Sequence, residues 1–171
     1  MEFFILKGKW DEGYVLDNHT ISSEYLGEDE YGRKQFSTDR SELGQLVYEL
    51  KYKKQNEKAV EIRNKITPFL NSWDLKSKIH YIIPAPSSTP RNVQPVDLIA
   101  DEISKVVAKK VLKNFLVKES SNPSKNLALD EKEVLSGTIK SKVHFKKPVN
   151  VLLVDDLYQS GKTLNECVKV L

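Results

Sequence analysis

Leu43, Leu46, Val47 and Leu50 recur at the i, i+3, i+4, i+7 spacing of one helical face, with Glu42 in the acidic first turn that such a helix favours. The spacing predicts a helix from Ser41 to about Tyr52. A second helical stretch is predicted from about Glu57 to Lys65, after which Thr67-Pro68 reads as an N-cap and first-turn proline opening a short segment to Trp73. The pattern then changes period. Ile79-His80-Tyr81-Ile82-Ile83 is a β-branched and aromatic run that predicts a buried strand ending at Pro84, where the proline-rich stretch 84–91 (PAPSSTPR) begins. The next helix is predicted to open near Pro95, with Val96, Ile99, Ile103, Val106 and Val107 on one face, and Leu112 to Val117 reads as a further strand. Residues 119–127 (ESSNPSKNL) form a polar excursion of the kind that serves function or stays disordered, and the sequence up to Lys142 favours no element. Val149 to Val154 is a nearly continuous apolar run followed by a helix beginning near Gly161; a strand apolar on both faces is expected in the middle of a parallel sheet covered by helices.

From residue 78 onward the alternation of strands and helices is that of an α/β layer. Residues 3–36 differ, with short apolar stretches broken by Gly8, Gly13, Gly27 and Gly32 and aromatic Trp10, Tyr14, Tyr25 and Tyr31 between them. Small antiparallel strands are expected there. The expected organisation is a strand-rich N-terminal appendage over residues 1–40 and an α/β domain over residues 41–171, a parallel sheet with flanking helices.

The chain length of 171 residues leaves room for one domain or a core plus a small appendage. With 39% hydrophobic and 30% charged residues it retains enough Val, Ile and Leu to bury a core, which excludes a wholly disordered chain. Lys plus Arg number 27 against 24 for Asp plus Glu, and a net charge of +3 selects no partner. The single cysteine, Cys167, excludes an intramolecular disulfide and a thiolate zinc site built from these residues; its place on the last helix reads as packing. The opening MEFFIL has neither the basic front nor the length of a secretory signal, and no apolar run approaches the ~18 residues of a membrane span. A cytoplasmic protein without a membrane partner is expected. His19, His80 and His144 lie far apart in the sequence, and His80, inside an apolar run, reads as a satisfied core residue. Lys51, Lys53 and Lys54, and the basic run from Lys140 to Lys147, read as solvated faces, with nucleic-acid contact the weaker alternative.

The segment with chemical content is Val151-Leu152-Leu153-Val154-Asp155-Asp156-Leu157-Tyr158-Gln159-Ser160-Gly161-Lys162-Thr163-Leu164. Two carboxylates emerge at the C-terminal end of a buried strand, where open α/β sheets place their ligands. A short loop of small and hydroxyl residues then leads into a helix whose free N–H groups, with the Ser160 and Thr163 hydroxyls, form a phosphate cradle. Carboxylates beside a phosphate cradle suit a ligand with both a phosphate and vicinal hydroxyls, and a ribose 5-phosphate has both. Successive strand side chains point to opposite faces, so the two carboxylates reach one sugar only if the chain is already turning at Asp156. A rival motif overlaps: Gly161-Lys162-Thr163 matches the tail of a phosphate-binding P-loop, whose first glycine would fall at position 156. Asp156 occupies it, which disfavours a nucleotide triphosphatase.

These fourteen residues resemble the phosphoribosyl diphosphate (PRPP) signature of the type I phosphoribosyltransferases. The wider arrangement is similar to the ComF-like branch of that family through LKYKK near Leu50, IIPAPSSTPR, NVQPVDLIA and SKNL, without the cysteine-rich zinc module at the front of many ComF proteins. The resemblance implies a type I phosphoribosyltransferase-like fold and transfer of a phosphoribosyl group to a nitrogenous acceptor with release of pyrophosphate, with Mg²⁺ as cofactor. It implies that Asp155 and Asp156 are the catalytic pair, binding the ribose hydroxyls and holding the metal directly or through water. Tyr158, Gln159, Ser160, Gly161, Lys162 and Thr163 would form the 5-phosphate loop, although Lys162 stands where a small residue is common. Ser87, Ser88, Thr89 and Arg91 would cradle pyrophosphate, the segment around Lys125 to Lys132 would close over the site, and residues 1–75 would form the hood over the acceptor. One further core strand normally follows the signature helix in the family and is expected to be missing before Leu171. The acceptor is not legible, and a homodimer stays open. The alternative is a non-catalytic PRPP- or nucleotide-binding regulatory module, linked to DNA uptake or processing as the ComF resemblance suggests.

Overall fold

The structure, a computed structural model, describes residues 3–87, 89, 91–119 and 138–171. The segment 120–137, including the expected closing loop around Lys125 to Lys132 and the SKNL stretch, lies outside the described residues, as do Ser88 and Pro90.

The chain forms a mixed α/β arrangement around a small parallel sheet. Helix α1 (Glu42–Tyr52) starts where expected, because the Ser41 hydroxyl accepts the Gly44 N–H at 2.9 Å, and Leu46, Val47 and Leu50 are buried along its face. Helix α2 spans Lys58–Ser72 without interruption. The expected break at Thr67-Pro68 is thus corrected. Pro68 removes one N–H from the helix interior, yet Ala59, Ile62, Ile66, Phe69 and Leu70 form one buried stripe in phase across it. Thr67 is no N-cap either; its hydroxyl donates back to the Arg63 carbonyl at 2.7 Å.

After the single turn α3 (Leu75–Lys78) comes strand β5 (Tyr81–Pro84), followed by helix α4 (Pro95–Val107), with proline at its first position. Of the expected strand Leu112–Val117 only Leu116 and Val117 are strand, in β7 (Leu116–Lys118); β6 (Lys110–Val111) ends just before it, and a turn in which Asn114 takes φ 56° lies between the two. Strand β7 pairs antiparallel with β8 (Ile139–Ser141). Strand β9 (Val151–Val154) leads to helix α5 (Lys162–Val170). The parallel sheet has the order β6-β5-β9. Among the described residues β9 is therefore an edge strand and β5 the centre, which corrects the expectation that the 149–154 run lies mid-sheet. The burial pattern agrees: Ile82 and Ile83 of β5 are fully enclosed, whereas Val151 and Leu153 are half-buried.

Alternation along β5 and β9 splits the core into two layers. Ile82, Leu152 and Val154 join the layer of α1, α2 and α4; Ile83, Val151 and Leu153 face Leu116, Ile139 and Cys167 on the other side. His80 is exposed, not a core residue: its Nδ1 accepts the Asn150 N–H at 3.0 Å, while its own N–H donates to the Asn150 carbonyl, extending the β5–β9 ladder by one step.

Strands occur in the first forty residues as expected: β1 (Phe4–Ile5) pairs with β2 (Tyr14–Val15), and β3 (Ser22–Glu28) with β4 (Lys34–Asp39). The two pairs differ in their ties to the body. Tyr14 and Leu16 pack against the main core, rings of Phe3, Tyr14, Phe69 and Trp73 form an edge-to-face cluster, and the Glu12 carboxylate accepts from Trp73 Nε1 at 2.6 Å and Lys78 Nζ at 2.9 Å. The β3–β4 hairpin keeps Tyr25, Leu26 and Phe36 more than half exposed, its Tyr25 and Phe36 rings meeting each other at 5.4 Å. No helix among the described residues is long and apolar enough to cross a membrane.

Urea denaturation separates these contributions. Ile82→Ala is expected to cost about 2–5 kcal/mol, as cavities in packed cores do, and Phe36→Ala less than about 1 kcal/mol, the value of one cross-strand pair. Equal losses would show that the hairpin belongs to the cooperative core.

Candidate functional site

The carboxylate pair lies immediately after β9. The Asp156 N–H donates to Asp155 Oδ1 at 2.9 Å, and the Leu157 N–H also bonds that carboxylate. These bonds bend the chain at Asp156, yet the side chains keep the strand's alternation. Asp155 lies on the side of buried Cys167, whose thiol is pushed up to about 12 by burial and then by the Asp155 charge. Asp156 turns towards α1, where Lys51 Nζ stands 3.0 Å from Oδ1 and 2.9 Å from Oδ2. In this state the two carboxylates do not converge on one point.

Lys51 is the site residue that sequence reasoning missed. Read as part of a solvated basic face, it is largely enclosed, with its side chain 17% exposed and that of Asp156 12%. The pair joins residues 105 positions apart, so no local spacing announces it. Burial, and then the neighbouring Asp156 charge, pushes Asp155 up to about 6, against the lowering influence of its backbone hydrogen bonds and of Lys51.

The loop from Leu157 to Gly161 leads into α5. Gly161 takes φ 69°, a conformation that favours glycine, and a Cβ there would meet the Tyr158 hydroxyl at 2.8 Å. The angle is what calls for glycine, and the exposed Tyr158 lies over it. No side chain caps the helix, leaving its first N–H groups to other partners. Tyr158, Gln159 and Ser160 are exposed, whereas Lys162 and Thr163 are half-buried.

The segment after β5 reaches the same sheet edge. Pro84 aligns with Val154, and the Ala85 N–H donates to the Val154 carbonyl at 2.7 Å. Ser87 and Thr89 are exposed and bonded to each other, the Ser87 hydroxyl donating to the Thr89 carbonyl at 3.0 Å and accepting the Thr89 N–H at 3.2 Å. Gln94 closes the segment with Nε2 on the Thr89 carbonyl at 3.1 Å, while its Oε1 is buried without a hydrogen-bond partner among the described residues. Arg91 is half-buried. The sheet register therefore starts this segment, at Ala85, next to the end of β9, while Ser87 and Thr89 bond within the segment and to Gln94.

A cavity of about 1220 Å³ opens beside the turn and is lined there by His19, Leu43, Gly44, Asp155, Asp156 and Tyr158. It extends along β9 towards the N-terminal strands, and among the described residues its lining does not include Ser87, Thr89 or Arg91. His19 comes from the N-terminal segment, which crosses α1 at Gly44 so closely that a Cβ there would lie 2.4 Å from the His19 carbonyl oxygen. Burial, followed by Arg40 and Lys51, lowers the His19 pKa against the pull of Asp156. Arg40 is held over the Tyr48 ring at 3.9 Å.

The donor set bears on a metal. Among the described residues no group of three or more His, Cys, Asp or Glu side chains could hold an ion. Asp155 and Asp156 are oxygen donors of the kind a hard cation such as Mg²⁺ takes with water and substrate oxygens, and they could share one only with Asp156 released from Lys51.

The raised Asp155 value has a definite sign. Between the ordinary 3.8 and about 6 the folded protein retains a proton that the unfolded chain has released. Stability from this group is therefore full below about pH 4 and lost as pH rises through about 6. Relative to Asp155→Asn, the wild type is expected to lose about 2–3 kcal/mol over that window in urea titrations; parallel profiles would contradict the burial of the charge. Comparison with protein-family models, with curated proteins and with solved structures finds no match.

Proposed function

We propose that the turn after β9 binds the ribose 5-phosphate part of PRPP and that the protein transfers the phosphoribosyl group to a nitrogenous acceptor. The observation that supports this reading is the shared edge: the alignment of Pro84 with Val154 ends β5 and β9 at one level, so the segment that goes on to Ser87, Thr89 and Arg91 leaves the sheet next to the start of a turn with two carboxylates and an uncapped helix. A ligand spanning that edge would present a phosphate to the α5 N–H groups, vicinal hydroxyls to Asp155 and Asp156, and a diphosphate to Ser87, Thr89 and Arg91.

In the transfer, a nitrogen lone pair forms the new bond to C1 of the sugar as the C1–oxygen bond breaks and pyrophosphate leaves with that electron pair. The sugar carbon carries positive charge midway, so Asp155 and Asp156 act on it as fixed negative charges while orienting the ring through its hydroxyls. Lys162 and the Thr163 hydroxyl add to the phosphate cradle. Asp155 and Asp156 would hold Mg²⁺ directly or through water, and the ion, when bound with the diphosphate, neutralises charge on the leaving group. His19 lines the same cavity as the carboxylates and is a candidate on the N-terminal side to meet the acceptor.

Calorimetric titration with PRPP and Mg²⁺ tests the reading, with ATP as the control ligand. Wild type is expected to bind PRPP and Asp155→Asn/Asp156→Asn to bind it about 10- to 100-fold more weakly, the worth of hydrogen bonds to charged groups. Equal affinity in both proteins, or PRPP binding by neither, would overturn it. Pyrophosphate release with added bases or amines then separates an enzyme from a regulatory binding module.

A further inference from the structure

The Lys51–Asp156 contact engages the carboxylate at both of its oxygens, at 3.0 and 2.9 Å, with both side chains largely enclosed. The ammonium thus stands on the side of Asp156 from which a cation would approach, and with Asp155 and Asp156 ionised it reduces the local charge from two negatives to one. An incoming divalent ion meets half the attraction that two bare carboxylates would offer, plus repulsion from Lys51 at close range. Lys51 cannot drift away easily. It lies in the last turn of α1, which is anchored by buried Leu46, Val47 and Leu50, and the nearby guanidinium of Arg40 has its own place over the Tyr48 ring.

We propose that Lys51 is an internal counter-ion that excludes divalent cations from the carboxylate turn of the free protein, so that a cation enters only together with a polyanionic ligand able to take over the lysine ammonium. This rests on the reading of the turn as a metal-assisted sugar-diphosphate site and adds the order of events: the metal arrives with the diphosphate, and Lys51 exchanges Asp156 for a diphosphate oxygen. Lys51 is a positioning residue here, holding Asp156 towards α1 until the ligand releases it. Its position also explains why the carboxylates diverge in this state.

The test uses Mn²⁺ as probe, in the absence of any sugar phosphate, so its outcome is independent of whether PRPP binds. Calorimetry and paramagnetic broadening of the amide resonances around Asp156 are measured for wild type, Lys51→Gln, Lys51→Arg and Lys51→Gln/Asp156→Asn. Lys51→Gln is expected to bind one Mn²⁺ at least about tenfold more tightly than wild type, Lys51→Arg to behave as wild type, and the double variant to lose the gain. A folded Lys51→Gln protein with Mn²⁺ affinity no higher than wild type overturns the proposal. Should that variant fail to fold, wild type carries the test. Broadening at Asp156 that requires inorganic diphosphate supports the counter-ion role, and equal broadening by Mn²⁺ alone contradicts it. A Mn²⁺ gain in Lys51→Gln without PRPP binding by wild type would keep the counter-ion and remove the phosphoribosyl reading.

Discussion

The parallel register of β5 with β9 is the constraint on which the candidate site depends. Four successive residue pairs, from Tyr81 with Val151 to Pro84 with Val154, make both strands end at the same level. A slip by one residue would turn Leu152 and Val154 out of the α1, α2 and α4 layer and carry Asp155 and Asp156 to the opposite faces. Burial of Ile82 and Ile83 on the two sides of β5 fixes that register, and the His80–Asn150 and Ala85–Val154 hydrogen bonds hold it at both ends. The site's geometry is therefore a consequence of core packing some distance from the carboxylates.

The layers meet again at Lys51. Its α1 face is buried by ordinary apolar packing, but the helix ends by sending an ammonium to the turn after β9. A largely enclosed ion pair is weak evidence for stability, since desolvation offsets most of the Coulomb gain. Its meaning lies in specificity of arrangement, and it sits where two acidic side chains would otherwise repel each other at the end of β9. The N-terminal strands add a second constraint through Gly44, which lets residue His19 approach α1 closely enough to line the same cavity.

Elements with a strong local period were legible in the residues. The α1 stripe, the Ser41 cap, the proline opening α4 and the apolar run of β9 each carry their own signal, and their boundaries agree with the structure to within a few residues. Thr67-Pro68 misled because the same dipeptide can start a helix or sit inside one; the stripe from Ala59 to Leu70, continuous across it, was the better guide and reflects tertiary burial overriding the proline. The edge position of β9 and the exposure of His80 depend on which strands pair, which composition does not encode. In the candidate site, the carboxylate turn and Gly161 were visible as a motif, whereas Lys51, Gly44 and Gln94 enter through contacts between distant segments and left no periodic trace.

The most direct test of a single composite site at the shared end of β5 and β9 is isotope-edited NMR with the two halves of the ligand added separately in the presence of Mg²⁺. Ribose 5-phosphate is expected to shift amide resonances from Asp155 to Thr163, inorganic diphosphate those of Ala85 to Gln94, and PRPP both sets together. Shifts confined to other parts of the surface, or none at either segment, would contradict the composite site.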